Sequence, residues 1–204
     1  MTTILHIDSS ILGDYSASRA LTAEIVTKQL ALHPGASVVV RDLVEDAPLH
    51  LSPSHLAVFQ GAAPPSAELG QDIAQGGVYI DELFAADLII IGAPMYNFSI
   101  PSQLKGWLDR VLVAGRTFRY TEQGPEGLLP KGKKVFIVST RGGVYTGNSP
   151  VAALDHQEGL LTTALHLIGL SDVTFVRAEG LALGEDAKAA ALTQAKLAIG
   201  AIAA

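Results

Sequence analysis

The chain has no cysteine among its 204 residues. Disulfide staples, thiolate nucleophiles, Cys-ligated zinc and iron–sulfur clusters are thereby excluded together. Basic residues are few: 14 Lys and Arg stand against 20 Asp and Glu, a formal net charge of −6. That balance opposes a broad electrostatic grip on nucleic-acid phosphates or on an anionic membrane. Long apolar runs are missing as well. The stretch Leu88–Ala93 falls far short of the roughly 20 residues that cross a bilayer. The start MTTILHIDSS has no basic segment leading into an apolar run, so no secretory leader is expected and the expected compartment is the cytoplasm. The six histidines show neither H-x-H nor H-E-x-x-H spacing, and no metal site is expected.

What the chain has in quantity is apolar side chain, 49% against 17% charged. Such a composition buries a large core and excludes wholesale disorder. No linker-like stretch and no fixed-period repeat divides the sequence, so one domain spanning 1–204 is expected.

Hydrophobic periodicity orders the elements. Thr3–Ile7 is a short β-branched strand that stops at Asp8-Ser9-Ser10, and a helix follows with Leu21, Ile25, Val26 and Leu30 at roughly helical spacing, ending at Pro34-Gly35. Ser37–Leu43 is a second strand. Residues 44–66 read as a loop with a short helix, and Ser66–Phe84 as a helix whose continuity is left open by Gly76-Gly77. Asp87–Gly92 is an unbroken apolar strand, the pattern of one covered on both faces. The segment SQLKGWLDRVLVAG sets Leu104, Trp107, Leu108, Val111 and Leu112 on one side of a helix. Residues 116–132 form a turn-rich excursion that suits a hairpin. Lys134–Ser139 is a fourth strand, Val151–Ile168 a helix, Asp172–Arg177 a fifth strand, and an Ala-rich helix begins at Glu185. Strands alternating with helices predict a parallel α/β sheet with helices on both faces.

Ligands of such sheets sit beyond the carboxyl ends of the strands, and three segments there are unusual. Ser9 and Ser10 precede a turn to Ser16, Ala17 and Ser18. Hydroxyls and amides at a helix N-terminus hold a phosphate without lysine, but serine is equally a favoured helix cap; both readings stand. Arg19 next door is either a helper for that phosphate or an exposed helix arginine. Pro94-Met95-Tyr96-Asn97-Phe98 puts apolar side chains where a polar turn is expected, which suits either a planar ligand or packing back onto the core. Ser139-Thr140-Arg141-Gly142-Gly143 allows close backbone approach, with amides that stabilise charge developing on a ring, or is an ordinary Gly-Gly turn. Other frameworks lack their residues: there is no G-x-G-x-x-G after the first strand, no P-loop and no G-x-S-x-G elbow. Asp42 is accordingly no convincing ribose ligand.

Taken together, PMYNF at 94–98 with its continuation IPSQLKGWLDRV, TFRYTEQGPEGL at 117–128, TRGG at 140–143 and the S-S-x5-S-x-S pattern from Ser9 resemble the flavodoxin-like, FMN-dependent NADH:quinone oxidoreductases, also called azoreductases. The resemblance covers essentially the whole chain. It implies a doubly wound five-stranded parallel sheet of order 2-1-3-4-5, one non-covalent FMN per subunit, and a homodimer with its active sites at the interface. It implies NADH or NADPH as co-substrate, two-electron reduction of quinones by a ping-pong mechanism, and cleavage of aromatic azo compounds to amines. Ser10, Ser16, Ala17 and Ser18 would hold the phosphate. Pro94, Met95, Tyr96, Asn97 and Phe98 would line the ring, with Ser139, Thr140, Arg141, Gly142 and Gly143 at its pyrimidine edge. Tyr120 falls where the family carries an aromatic residue near nicotinamide and substrate. Tyr120 and Tyr145 are the candidates for orienting substrate. The alternative is a flavodoxin-type FMN electron carrier, which would use the same loops. Thr140 replaces a frequent family serine, and Ala164 stands where relatives often carry a bulky aromatic, so a more open acceptor pocket is expected. Residues 44–80 match the family least.

Overall fold

The computed structural model describes residues 1–203. Five strands form one parallel sheet: β1 (Thr3–Asp8), β2 (Ser37–Asp42), β3 (Leu88–Pro94), β6 (Lys134–Thr140) and β7 (Asp172–Ala178), in the spatial order β2-β1-β3-β6-β7. Counted among the parallel strands alone, that order is 2-1-3-4-5. β4 (Phe118–Thr121) and β5 (Gly124–Gly127) make a separate antiparallel hairpin. The helices are α1 (Ala17–Leu32), α2 (Pro53–Phe59), α3 (Ala67–Ala85), α4 (Ser102–Val111), α5 (Glu158–Leu167) and α6 (Glu185–Ala201).

Every residue of β3 is buried, as an uninterrupted apolar run in a central parallel strand requires. Alternate strand residues enter two hydrophobic clusters. Leu5, Ile7, Ile89, Ile91, Val135 and Ile137 pack with α3, α4 and α5, around Tyr79, Trp107 and Leu161. Ile4, Ile90, Phe136 and Val138 pack with Leu21 and Ile25 of α1 and Ala195 and Ile199 of α6. Each fully buried aliphatic side chain favours folding by about 1.5–3 kcal/mol, so the two clusters dominate the stability of the sheet and hold its strand ends in place.

One expectation needs revision and one open point is answered. The helix expected over Val151–Ile168 is shorter: a single 3-10 turn at Ala152–Leu154 precedes α5, which starts only at Glu158. Local capping at Asp155 and a tertiary bond at His156 capture the intervening residues. The Asp155 carboxylate accepts from the amides of Gln157 (2.9 Å) and Glu158 (3.2 Å), and the His156 amide donates to the Phe98 carbonyl (3.0 Å). Conversely α3 runs unbroken through Gly76-Gly77. Gly76 is there because α4 crosses it: a Cβ at that position would stand 3.2 Å from Arg110 Cδ.

Arg110 also anchors the long segment after β2. Its side chain is buried, with Nε donating to Asp72 (2.6 Å) and an outer nitrogen to the Leu49 carbonyl (2.7 Å). Asp72 accepts the Leu49 amide (2.8 Å) and faces His55 Nε2 at 3.1 Å. His55 is therefore a satisfied core histidine on α2. Among the described residues no helix is long and apolar enough to cross a membrane, and no group of acidic or histidine side chains is arranged to hold a metal ion.

Candidate functional site

The three unusual loops meet at the carboxyl end of the sheet. The β1–α1 loop carries Ser10, which is buried, while Ser16 caps α1: its Oγ accepts the Arg19 amide at 3.3 Å and lies 3.0 Å from Ser18 Oγ. The amides of Ala17 and Ser18, at the first turn of α1, have no hydrogen-bond partner among the described residues, the ordinary state of a helix N-terminus. Ser9 is not part of this cradle, because its Oγ donates to the Gly92 carbonyl (2.6 Å) and ties β1 to β3.

Tyr96 joins the second loop to the first. Its hydroxyl lies 3.2 Å from Ser10 Oγ and accepts the Ile11 amide at 3.2 Å. The segment Tyr96–Ser99 is a tight turn closed by paired backbone bonds of 2.9 and 3.1 Å. Its central residues Asn97 (φ +49°) and Phe98 (φ +70°) are the only non-glycine residues with positive φ among those described. Such a backbone costs energy for a bulky residue and persists where neighbours over-determine it, typically at functional sites. The neighbours here are the His156 amide on the Phe98 carbonyl and the Tyr145 ring, edge-on to Phe98 at 6.4 Å. The amides of Asn97 and Phe98 are themselves unpaired among the described residues.

The third loop continues the β6–β7 pairing past the sheet. The Arg141 amide donates to Ala178, and Leu181, Ala182 and Gly180 donate back to Arg141, Gly142 and Gly143, all at 2.8–3.0 Å. The Gly142 and Gly143 amides, among the described residues, remain without partners. The Arg141 side chain does not point toward the cavity. It is fully buried and turned inward, 2.9 Å from Asp155, 2.5 Å from Glu158 and 3.2 Å from Glu179, with Nε donating to Ser139 Oγ at 3.0 Å. Ser139 is likewise withdrawn, donating to Gln157 Oε1 (2.8 Å), while Gln157 Nε2 donates to the Ala93 carbonyl (2.7 Å). Thr140 and the backbone of Arg141 and Gly142 are the parts of this loop that line the cavity.

Two cavities share the wall formed by Met95 and Tyr96. One, of about 230 Å³, is bounded by Ser10, Ser16 and Ala17 on one side and by Pro94, Thr140, Arg141 and Gly142 on the other, with Lys188 of α6 at its rim. The other, of about 780 Å³, lies over Asn97, Ser99, Ile100 and the start of α4. Its α5 wall is Leu160; Ala164, expected at the pocket, lies instead in the core cluster behind it. Ser18, Phe98 and Gly143 flank these cavities in sequence without lining them. Tyr145 packs on Phe98, and Tyr120 sits on β4, three-quarters exposed and edge-on to Phe118 at 5.4 Å.

The chain has relatives among known proteins. The flavodoxin-like fold family matches residues 2–202. An FMN-dependent NADH:quinone oxidoreductase of Sinorhizobium fredii is 53% identical over 193 residues, 95% of this chain and 93% of that protein. The chain belongs to this family. A second member, from Azospirillum brasilense, is 52% identical over 202 residues, 98% of this chain and 97% of its own length. Among solved structures, the azoreductase of Bacillus anthracis strain Sterne superposes with a TM-score of 0.83 at 25% identity, over 98% of this chain and 100% of that one.

Within the family frame, the residues invisible to sequence reasoning are those that position others. Asp8 is buried against Thr22 Oγ1 (3.0 Å) and His6 Nε2 (3.2 Å). Gly92 exists to admit it, since a Cβ there would meet Asp8 Oδ1 at 2.6 Å. Arg19 is neither exposed nor free: it grips Asp42 through two bonds (2.6 and 2.8 Å) and donates to the Ser10 carbonyl at 2.9 and 3.2 Å. That pairing raises the Arg19 pKa and holds the Asp42 carboxyl below its ordinary range. Gln157, Asp155, Glu158 and Glu179 carry no local motif; only their convergence on Arg141 shows what they do.

Proposed function

We propose that this protein is an FMN-dependent NAD(P)H:quinone oxidoreductase that also reduces aromatic azo compounds to amines. The observation that carries the reading is the meeting of three strand-end loops around Met95 and Tyr96, with a hydroxyl-and-amide cradle at one end. The residues fit FMN. For the phosphate there are Ser10, Ser16 and Ser18 hydroxyls, Tyr96 OH and the unpaired Ala17 and Ser18 amides, a donor set suited to a phosphate at a helix N-terminus. For the ring there are the apolar Pro94 and Met95 and the unpaired amides of Asn97, Phe98, Gly142 and Gly143, which suit the polar edge of a flat heterocycle. Thr140 and the backbone of Arg141 close the rim, and Ser139 acts behind it.

When bound, FMN supplies two-electron transfer from NADH or NADPH to the acceptor. The chain's own work is binding and orientation. Asn97 and Phe98, held in a strained turn, keep two amide donors fixed, and preorganised donors need no rearrangement when charge builds on a ligand edge. Tyr145, wedged between Phe98 and the Arg141 guanidinium (5.8 Å from its ring), is a fixed aromatic wall. Tyr120 and Tyr145 orient the acceptor. The reading includes one domain, doubly wound with helices on both faces and supported by the two clusters. It includes a cytoplasmic compartment and a homodimer, the dimer supported by Ile11 at the larger cavity and Phe98 beside it, which stand about half exposed and would be covered by a second subunit.

The test is spectroscopic. Purified protein supplemented with FMN should retain a flavin band at about 450 nm, lose it on anaerobic addition of NADH, and regain it with benzoquinone. A flavin that binds yet ignores NADH would move the protein to the electron-carrier class; failure to bind flavin would overturn the reading.

A further inference from the structure

The cradle at the α1 N-terminus is built without a free cation of its own. Asp8 and Asp42 bring two negative charges beneath it, and Arg19 brings one positive. Arg19 is already committed, with both terminal nitrogens on Asp42, Nε and one terminal nitrogen on the Ser10 carbonyl, and Asp8 at 3.9 Å. The formal charges of these three side chains therefore sum to minus one. Hydroxyls and helix amides offset this only with partial charge, whereas a phosphate monoester brings about −1.5 to −2 at neutral pH.

The compensating charge stands across the cavity. Lys188, on the first turn of α6, lines the same space as Ser10, Ser16, Ala17 and Tyr96. Its one ion-pair contact among the described residues is Glu185 at 4.0 Å, and that carboxylate is almost fully in water. A pair so long and so exposed holds the ammonium weakly. The Lys188 side chain is about half exposed, and its four-carbon stem leaves the charge free to swing over the cavity mouth. Neighbouring Leu181 and Ala182, bonded to the glycine loop, fix where α6 begins relative to the site.

We propose that Lys188 makes the ionic contact to the phosphate end of the bound mononucleotide, exchanging Glu185 for it, and that this contact sets the preference of the protein for FMN over riboflavin. The assignment rests on the FMN reading above.

The experiment titrates flavin-free wild type and Lys188→Gln with FMN and, separately, with riboflavin, following quenching of flavin fluorescence at low and raised salt. Lys188→Gln should weaken FMN about 5- to 20-fold, leave riboflavin unchanged, and flatten the salt dependence of FMN binding; Lys188→Arg should restore most of the affinity. Equal loss for both flavins, or loss for neither, overturns the assignment. A rise in the NADH KM with unchanged FMN affinity also overturns it, and gives the lysine to the dinucleotide pyrophosphate instead. Wild type that binds neither flavin is a different failure: it removes the FMN reading and the assignment together.

Discussion

Gly127 lies against Gly169 so closely that a Cβ at position 127 would stand 2.1 Å from the Gly169 backbone nitrogen. Gly169 itself has φ +96° and ends the turn after α5, a position that favours glycine. The Leu129 amide donates to the Ile168 carbonyl at 3.2 Å in the same contact. The β4–β5 hairpin, which carries Tyr120, is thus docked on the end of α5 backbone to backbone. Gly127→Ala is expected to cost about 3 kcal/mol or more, because neither backbone yields as a side chain does. Gly159→Ala, inside α5 with open space around it, should instead gain about 0.5–1 kcal/mol. Urea denaturation of the two variants reads both signs.

Removing Arg141 leaves the carboxylates of Asp155, Glu158 and Glu179 without the guanidinium they share, Glu158 keeping only Arg177. Arg141→Ala should destabilise the protein by about 3–5 kcal/mol, the usual penalty for uncompensated buried charge. Lys, lacking the planar fork, should rescue it only in part. A variant that unfolds at the wild-type urea midpoint would show that the cluster is not what fixes the glycine loop.

Tyr96 tests the cradle without replacing any of its serines. Tyr96→Phe removes one hydroxyl, which meets Ser10 and the Ile11 amide at 3.2 Å each. Long hydrogen bonds near solvent contribute little to folding, so thermal unfolding should hardly move. FMN affinity should fall about 3- to 10-fold, the worth of one hydrogen bond to a charged group with partial compensation by water. Unaltered FMN binding by fluorescence titration would exclude the hydroxyl from the phosphate site.

The Arg19–Asp42 pair has a pH signature. Its hydrogen bond lowers the Asp42 pKa from the ordinary 3.8. A carboxyl whose pKa is depressed by folding favours the folded state fully above the unfolded value, and that contribution vanishes as pH falls through the folded value. Asp42→Asn should therefore be less stable than wild type at neutral pH, with the difference shrinking below about pH 4. Chemical denaturation at a series of pH values reads the gap; a gap of constant size would contradict the pairing.

Much of this protein was legible in one dimension. The uniform apolar run of β3, the alternation of strands and amphipathic helices, and the composition of three strand-end loops follow from side-chain chemistry and spacing alone, because burial and backbone period are local properties. So did the resemblance carried by PMYNF and TRGG. Tertiary structure decided the rest. It delayed the start of α5 to Glu158, since Asp155, His156 and Gln157 find partners on other elements in Arg141, Phe98 and Ala93. It turned Arg141 and Arg19 away from the cavity and toward carboxylates far along the chain, and it brought Lys188 to a cradle formed more than 170 residues earlier. A charged side chain goes where the field and the remaining hydrogen-bond vacancies are, and both are sums over neighbours that only folding assembles.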